Sequence, residues 1–153
     1  MNSFNQKILI VDDIEDNRFT LERRLSRSGY TAISQADCGK RALELVKQES
    51  FDLVLLDLMM PDISGLDVLK ILKADPKNRG IPVVMVTAAD EIETTAECIS
   101  NGAEDYITKP INATLLKARV SACLEKKRFR DSEEHYLSKV EADKKRTQTF
   151  LKQ

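Results

Sequence analysis

Four polar signals close four apolar runs in this 153-residue chain: Asp12 and Asp13 follow KILIV, Asp57 follows FDLVLL, Thr87 ends IPVVMVT, and Lys109 lies just past EDYIT. Together they offer three carboxylates, a hydroxyl and an amine. An aspartate can accept a phosphoryl group, provided that a metal and a cation neutralise the oxygens of the group in flight. Adjacent aspartates after a buried strand raise each other's pKa, and a divalent cation relieves that cost. Mg²⁺ takes one or two protein carboxylates plus waters and a phosphate oxygen, so Asp12, Asp13 and Asp57 suit it. Each residue also has a plainer reading. Asp12 or Asp13 would cap the first helix, Lys109 would be a solvated loop lysine, and Thr87 an ordinary strand end. These readings are reasonable singly and improbable jointly.

Convergence requires a particular scaffold. In an open parallel α/β sheet, ligands sit beyond the carboxyl ends of the strands, where residues distant in sequence meet. The chain has the pattern for one. Runs rich in Val, Ile and Leu at 7–11, 31–34, 53–56, 82–86 and 105–107 alternate with segments of helical period, such as 14–28 with Phe19, Leu21 and Leu25, and 39–48 with Ala42, Leu43 and Val46. Five strands and five helices follow. The first, third and fourth strands are nearly all apolar, as befits strands covered on both faces, and so form the centre of the sheet. Gly29 and Gly102 read as left-handed helix ends, and Ser64, Asp90 and Asn112 as N-caps. Asp57 ends the third strand's apolar run and, followed by LMMPDISG, reads as lying on the loop that enters the third helix rather than inside either element. Pro110 opens a cis peptide to Lys109, since only X–Pro bonds reach that form at low cost.

Composition bounds the rest. A hydrophobic content of 42% supports a core, and a net charge of −1 gives no electrostatic case for nucleic acid or a membrane surface as partner. No apolar run nears the roughly 20 residues that span a bilayer, and MNSFNQK lacks the order of a signal peptide, so a soluble, cytoplasmic protein is expected. Cys38, Cys98 and Cys123 are odd in number and unpaired in spacing, suggesting neither a disulfide framework nor zinc.

After Asn112 the helical pattern continues without Gly or Pro to the C-terminus. Phe129, Tyr136, Val140 and Phe150 fall on an alternating 4-3 track interrupted by Glu133, Asp143 and Thr147, a sparse coiled-coil signal whose simplest partner is a second copy. His135 on this tail reads as a solvated or interhelical residue.

The segments IVDD, LLDLMMPDISG, VMVTA and EDYITKP resemble, in order and spacing, the motifs of bacterial response-regulator receiver domains. The resemblance covers about 5–124 and leaves 125–153 as a helical signalling linker. It implies a doubly wound, flavodoxin-like five-stranded parallel sheet of order 2-1-3-4-5, with the last helix extended. It also implies a two-component phosphorelay role: a histidine kinase or small phosphodonor phosphorylates Asp57, with Asp13, Asp57 and the Met59 carbonyl on Mg²⁺, Asp12 acting through water, and Thr87 and Lys109 on the phosphoryl oxygens. Tyr106 matches the aromatic position that turns inward as the threonine moves, biasing the face made by the fourth helix, fifth strand and fifth helix. Met59 and Ala89 occupy the two positions that tune phosphoryl lifetime in the family. Neither side chain can orient a water, so slow self-dephosphorylation is expected.

The segment ARVSACLEKKRFRDSEEHYL resembles linkers that precede class III nucleotide cyclases and, less closely, those leading to phosphatase or diguanylate cyclase modules. It implies a covalently linked output domain in a longer protein, regulated through a dimer. The chain itself is not expected to be an enzyme, because it accepts its own phosphoryl group and any catalytic output would lie in a linked domain. Two enzyme-like or carrier alternatives share parts of the pattern. Haloacid-dehalogenase-like phosphotransferases put their nucleophile on the first motif strand within D-x-D, whereas Asp57 is on the third and is followed by Leu58 and Met59. A flavodoxin-like carrier needs a neutral phosphate loop where Asp12 and Asp13 stand. A receiver-shaped interaction module without phosphorylation would not need the intact acceptor set.

Overall fold

The computed structural model describes residues 4–151, with side-chain surroundings described for residues 5–144. Strands and helices alternate throughout: β1 (Phe4–Val11), α1 (Glu15–Arg27), β2 (Tyr30–Ala36), α2 (Gly39–Gln48), β3 (Leu53–Asp57), α3 (Gly65–Ala74), β4 (Val83–Thr87), α4 (Ile92–Ser100), β5 (Asp105–Thr108) and α5 (Ala113–Leu151). The five strands form one sheet in the order β2-β1-β3-β4-β5, with every pairing parallel.

The apolar strands are central, as their composition requires. β3 and β4 are buried at every residue, and their side chains alternate between two core layers. One layer joins Leu9, Val54, Leu56 and Met85 to Val46, Leu69 and Leu72 of α2 and α3. The other joins Ile8, Ile10, Leu55 and Val84 to Leu25 of α1 and to Leu116 and Val120 of α5. This is the period-2 alternation of a sheet covered on both faces.

Most helix boundaries follow the expected caps. Gly29 and Gly102 hold φ of 104° and 107°, the left-handed region in which a Cβ would be strained. The Ser64 hydroxyl accepts from the Asp67 amide at 3.1 Å, and Asn112 Oδ1 accepts from the Leu115 amide at 3.0 Å. Ser64→Ala is expected to cost about 1 kcal/mol of stability in urea denaturation, because the α3 N-terminus loses its side-chain acceptor.

Four local expectations are corrected. Asp90 does not cap α4: Glu91 occupies that position, and its carboxylate turns back to accept the Ala88 amide at 2.7 Å, closing the β4–α4 loop. Phe19 is 63% exposed, so the core face of α1 is carried by Leu21 and Leu25. Asp57 is the last residue of β3 rather than a loop residue. β1 begins at Phe4, three residues before the apolar run, because its polar start pairs with the edge strand β2.

α5 continues for 39 residues as a single helix, at 1.5 Å per residue about 58 Å long. Its first turns pack on the sheet through Leu116, Val120, Cys123 and Leu124, whereas Phe129, Tyr136, Leu137 and Val140 are exposed. The side chains of Thr147 and Phe150, on the expected coiled-coil track, lie outside the described residues. Among the described residues, no helix is long and apolar enough to cross a membrane.

Candidate phosphoacceptor site

The parallel register brings the polar strand ends to one edge. Val11 pairs with Leu56, Asp57 with Val86, and Thr87 with Thr108, so Asp12, Asp57 and Thr87 emerge side by side. All three are at least 95% buried. The Lys109 amide donates to Thr87 O at 2.7 Å, tying the β5–α5 loop to the end of β4, and the Lys109–Pro110 peptide is cis as expected. From there Lys109 Nζ reaches Asp57 Oδ1 at 3.1 Å and Asp12 Oδ2 at 3.6 Å.

Asp12 is held by local geometry. Its Oδ1 accepts the Ile14 amide at 2.9 Å and Asn17 Nδ2 at 3.4 Å, while Arg18 Nη1 donates to its carbonyl at 2.8 Å. Asp12 therefore shapes the turn into α1 with one oxygen and leaves Oδ2 facing the site. That oxygen and the Thr87 hydroxyl are buried without a hydrogen-bond partner. Buried groups without partners are costly, so such groups at one locus point to a ligand that completes them.

Asp12, Asp13 and Asp57 each present an oxygen within 4.8 Å of the others, and Asp13 is exposed. Burial pushes the Asp57 carboxyl from 3.8 up to about 6, and Asp12's charge adds to the rise; Lys109 pulls it back without cancelling it, and Asp13 contributes a little more. Burial also works to lower the pKa of Lys109, but Asp57 and then Asp12 outweigh it and hold the amine above its usual value. The donor set fits a hard divalent cation: all ligands are oxygens, one buried oxygen lacks a hydrogen bond, and their mutual repulsion falls when a cation arrives.

Met59 lies just beyond Asp57 with its side chain 65% exposed. Tyr106 points outward, 42% exposed, and lines a cavity of about 330 Å³ with Thr87, Ile92, Thr95, Ile99 and Thr108. The cavity connects the ring to the Thr87 end of the site.

Two supporting residues were not foreseen. Asp62 accepts the Gly39 amide at 3.1 Å and the Lys40 amide at 2.9 Å, stapling the loop after Asp57 to the α2 N-terminus. The Lys40 amide, with those of Ile63 and Gly39, holds its carboxyl down at about 2 despite an opposing burial contribution. Gly65 donates its amide to Leu58 O at 2.8 Å, and a Cβ there would lie 2.2 Å from Asp57 O. The D-x-S-G spacing gave a visible hint of a tight loop, but the partners of Asp62 lie 23 and 22 positions away.

This fold and edge geometry agree with the comparisons to known proteins. The family model described as response regulator receiver domain matches residues 8–121. The chain belongs to that family. Chemotaxis protein CheY-3 of Vibrio cholerae is 37% identical over 122 residues, covering 80% of this chain and 94% of CheY-3. Response regulator PleD of Caulobacter vibrioides is 43% identical over 114 residues, covering 74% of this chain and 25% of PleD. A probable cyclic di-GMP phosphodiesterase of Vibrio cholerae is 41% identical over 124 residues, covering 81% of this chain and 28% of that protein. The chain thus spans only about a quarter of some curated relatives and nearly all of CheY-3. Among solved structures, a putative response regulator from Chloroflexus aurantiacus superposes with a TM-score of 0.76 at 30% identity, covering 80% of this chain and 99% of that one.

Proposed function

We propose that this chain is a phosphorylation-dependent response-regulator receiver in which Asp57 accepts a phosphoryl group from a histidine kinase or a small phosphodonor. The observation that carries this reading is the buried Asp57 carboxylate, with Lys109 at 3.1 Å and the unpartnered Thr87 hydroxyl at the end of the next strand. An oxygen of Asp57 attacks phosphorus as the bond to the donor breaks, and the leaving imidazole or carboxylate departs with the bonding electrons. Lys109 Nζ and the Thr87 hydroxyl meet the oxygens of the transferred group. Asp12, Asp13, Asp57 and the Met59 carbonyl would hold a magnesium ion, which when bound would neutralise charge on the phosphoryl oxygens. Because the product is a modified Asp57, the receiver does not turn over a substrate as an enzyme does.

The direct test is incubation with acetyl phosphate, with and without Mg²⁺, followed by intact-mass and peptide analysis. One phosphoryl group on Asp57, requiring Mg²⁺, is expected. No uptake from either acetyl phosphate or a phosphorylated kinase domain would overturn the reading.

Thr87 and Tyr106 form the switch. Drawing the hydroxyl toward the phosphoryl group clears space for the ring in the adjoining cavity, and the α4-β5-α5 surface changes with it. Residues 5–124 act as the receiver, and 125–153 carry the signal along the extended helix to an output domain in a longer cytoplasmic protein. The tail resemblance favours a nucleotide cyclase as that output. The exposed Phe129, Tyr136 and Val140 support helix pairing in a homodimer.

The lifetime of the modified state should be long. Met59 and Ala89 both have exposed side chains and offer no group to orient an attacking water. Met59→Asn with Ala89→Glu is expected to shorten the phosphoryl lifetime severalfold in a donor-removal chase. An unchanged lifetime would refute the role of these positions.

A further inference from the structure

The first turns of the α5 extension are fastened to the receiver by charges remote from Asp57. Glu104 lies between the end of α4 and the start of β5, and its amide donates to Val83 O at 2.8 Å. Its side chain is only 13% exposed and meets two cations from one face of α5: Lys126 Nζ at 3.2 Å from Oε2, and Arg130 Nη1 at 3.2 Å from Oε1. Arg130 Nη2 is buried without a hydrogen-bond partner, so Glu104 supplies the compensating charge for a partly desolvated guanidinium. A second attachment lies nearby. Lys127 Nζ is 3.7 Å from Asp52 Oδ1 and 2.6 Å from Asp131, while Asp52 Oδ2 accepts the Lys7 amide at 2.8 Å.

An isolated exposed ion pair contributes little, but a shared, largely buried carboxylate with two cations one helical turn apart is a network. Its position has a directional consequence. Glu104 immediately precedes β5 and stands two residues before Tyr106, so a shift of the α4–β5 segment carries its carboxylate along. From Arg130 to Leu151 the helix extends about 30 Å, which magnifies a small tilt at the attachment.

We propose that Glu104 is a positioning residue, a latch that makes α5 through about residue 131 part of the receiver body and couples the helix direction to the α4–β5 segment. This deepens the relay assigned to α5 and rests on that reading for its signalling role. The latch itself exists in the unmodified protein, so it is testable without phosphorylation.

Hydrogen exchange on the full chain provides the test. Glu104→Gln is expected to speed amide exchange across residues 126–134 roughly five- to tenfold, leaving β1 and β3 protected and phosphoryl uptake by Asp57 intact. Glu97→Gln, an exposed change on α4, should leave 126–134 unchanged. Equal exchange in wild type and Glu104→Gln, or an equal response to Glu97→Gln, would overturn the latch. If Glu104→Gln loosens the whole fold, the charge swap E104K with K126E and R130E decides. Restored protection supports the latch, and failure to restore it refutes it. Loss of phosphoryl uptake in wild type would reject the receiver reading while leaving these exchange results in force.

Discussion

Asp57→Asn is expected to abolish phosphoryl uptake and, at the same time, to make the metal-free protein more stable. The first effect follows from chemistry, because the amide lacks the anionic oxygen that attacks phosphorus. The second follows from electrostatics. Asp57 is buried beside Asp12, and its carboxyl is raised from 3.8 to about 6 in the fold. The folded state therefore binds this proton more tightly than the unfolded chain. Its stabilising contribution is fully present below about pH 4 and is lost as pH rises through about 6. Raising this carboxyl from 3.8 to about 6 corresponds to roughly 3 kcal/mol, and the gain in the variant is smaller because the amide is a weaker acceptor for Lys109 than the carboxylate. Thermal unfolding with chelator present should show Asp57→Asn more stable by roughly 2 kcal/mol at pH 8, with the advantage vanishing near pH 4. Mg²⁺ should narrow the gap at pH 8 by stabilising the wild type more. A variant no more stable than wild type at pH 8 would show that the aspartate cluster is not strained in the metal-free fold, and residual phosphoryl uptake would show that another residue is the acceptor.

The strand ends were legible because two periodicities meet there. Continuous apolar runs mark strands buried on both faces, and parallel pairing brings Asp12, Asp57 and Thr87 to the same edge. Lys109 was legible through the motif that holds it, and its contact with Asp57 spans 52 positions. Readings based on a single element did less well. Phe19 has the spacing of a core residue on α1 but lies outside the packed stripe, and helical period alone does not select which edge of an apolar arc meets the sheet. Asp90 is a good capping residue by type, yet the turn places Glu91 at the cap and directs its carboxylate to Ala88. Asp62 and Glu104 have roles defined by partners on other elements, which neither composition nor period reveals.

The same close packing makes Gly65→Ala a damaging substitution beside the site. An added Cβ would sit 2.2 Å from Asp57 O, 2.9 Å from Leu58 Cα and 3.0 Å from Asp57 C. All three are backbone atoms, so no rotamer change relieves the clash. Either α3 moves away from the end of β3, breaking the 2.8 Å hydrogen bond from Gly65 to Leu58 O, or the Asp57 peptide itself shifts. Both routes cost stability, by about 2–4 kcal/mol on the scale of overpacked and strained sites. The second moves the nucleophile relative to Lys109, and the first removes the hydrogen bond that holds the segment directly after it. Misplacement by about 1 Å lowers a reaction that depends on alignment by roughly a hundredfold. Urea denaturation and the rate of uptake from acetyl phosphate should therefore fall together. Gly80→Ala is the matched control, since a Cβ there meets nothing within 4 Å and Gly80 is not among the glycines with positive φ. That variant should be neutral or slightly stabilising, by up to about 1 kcal/mol, with uptake unchanged. Wild-type uptake in a folded Gly65→Ala would mean that the loop after Asp57 yields without disturbing the carboxylate, and that the alignment of Asp57 does not depend on this contact.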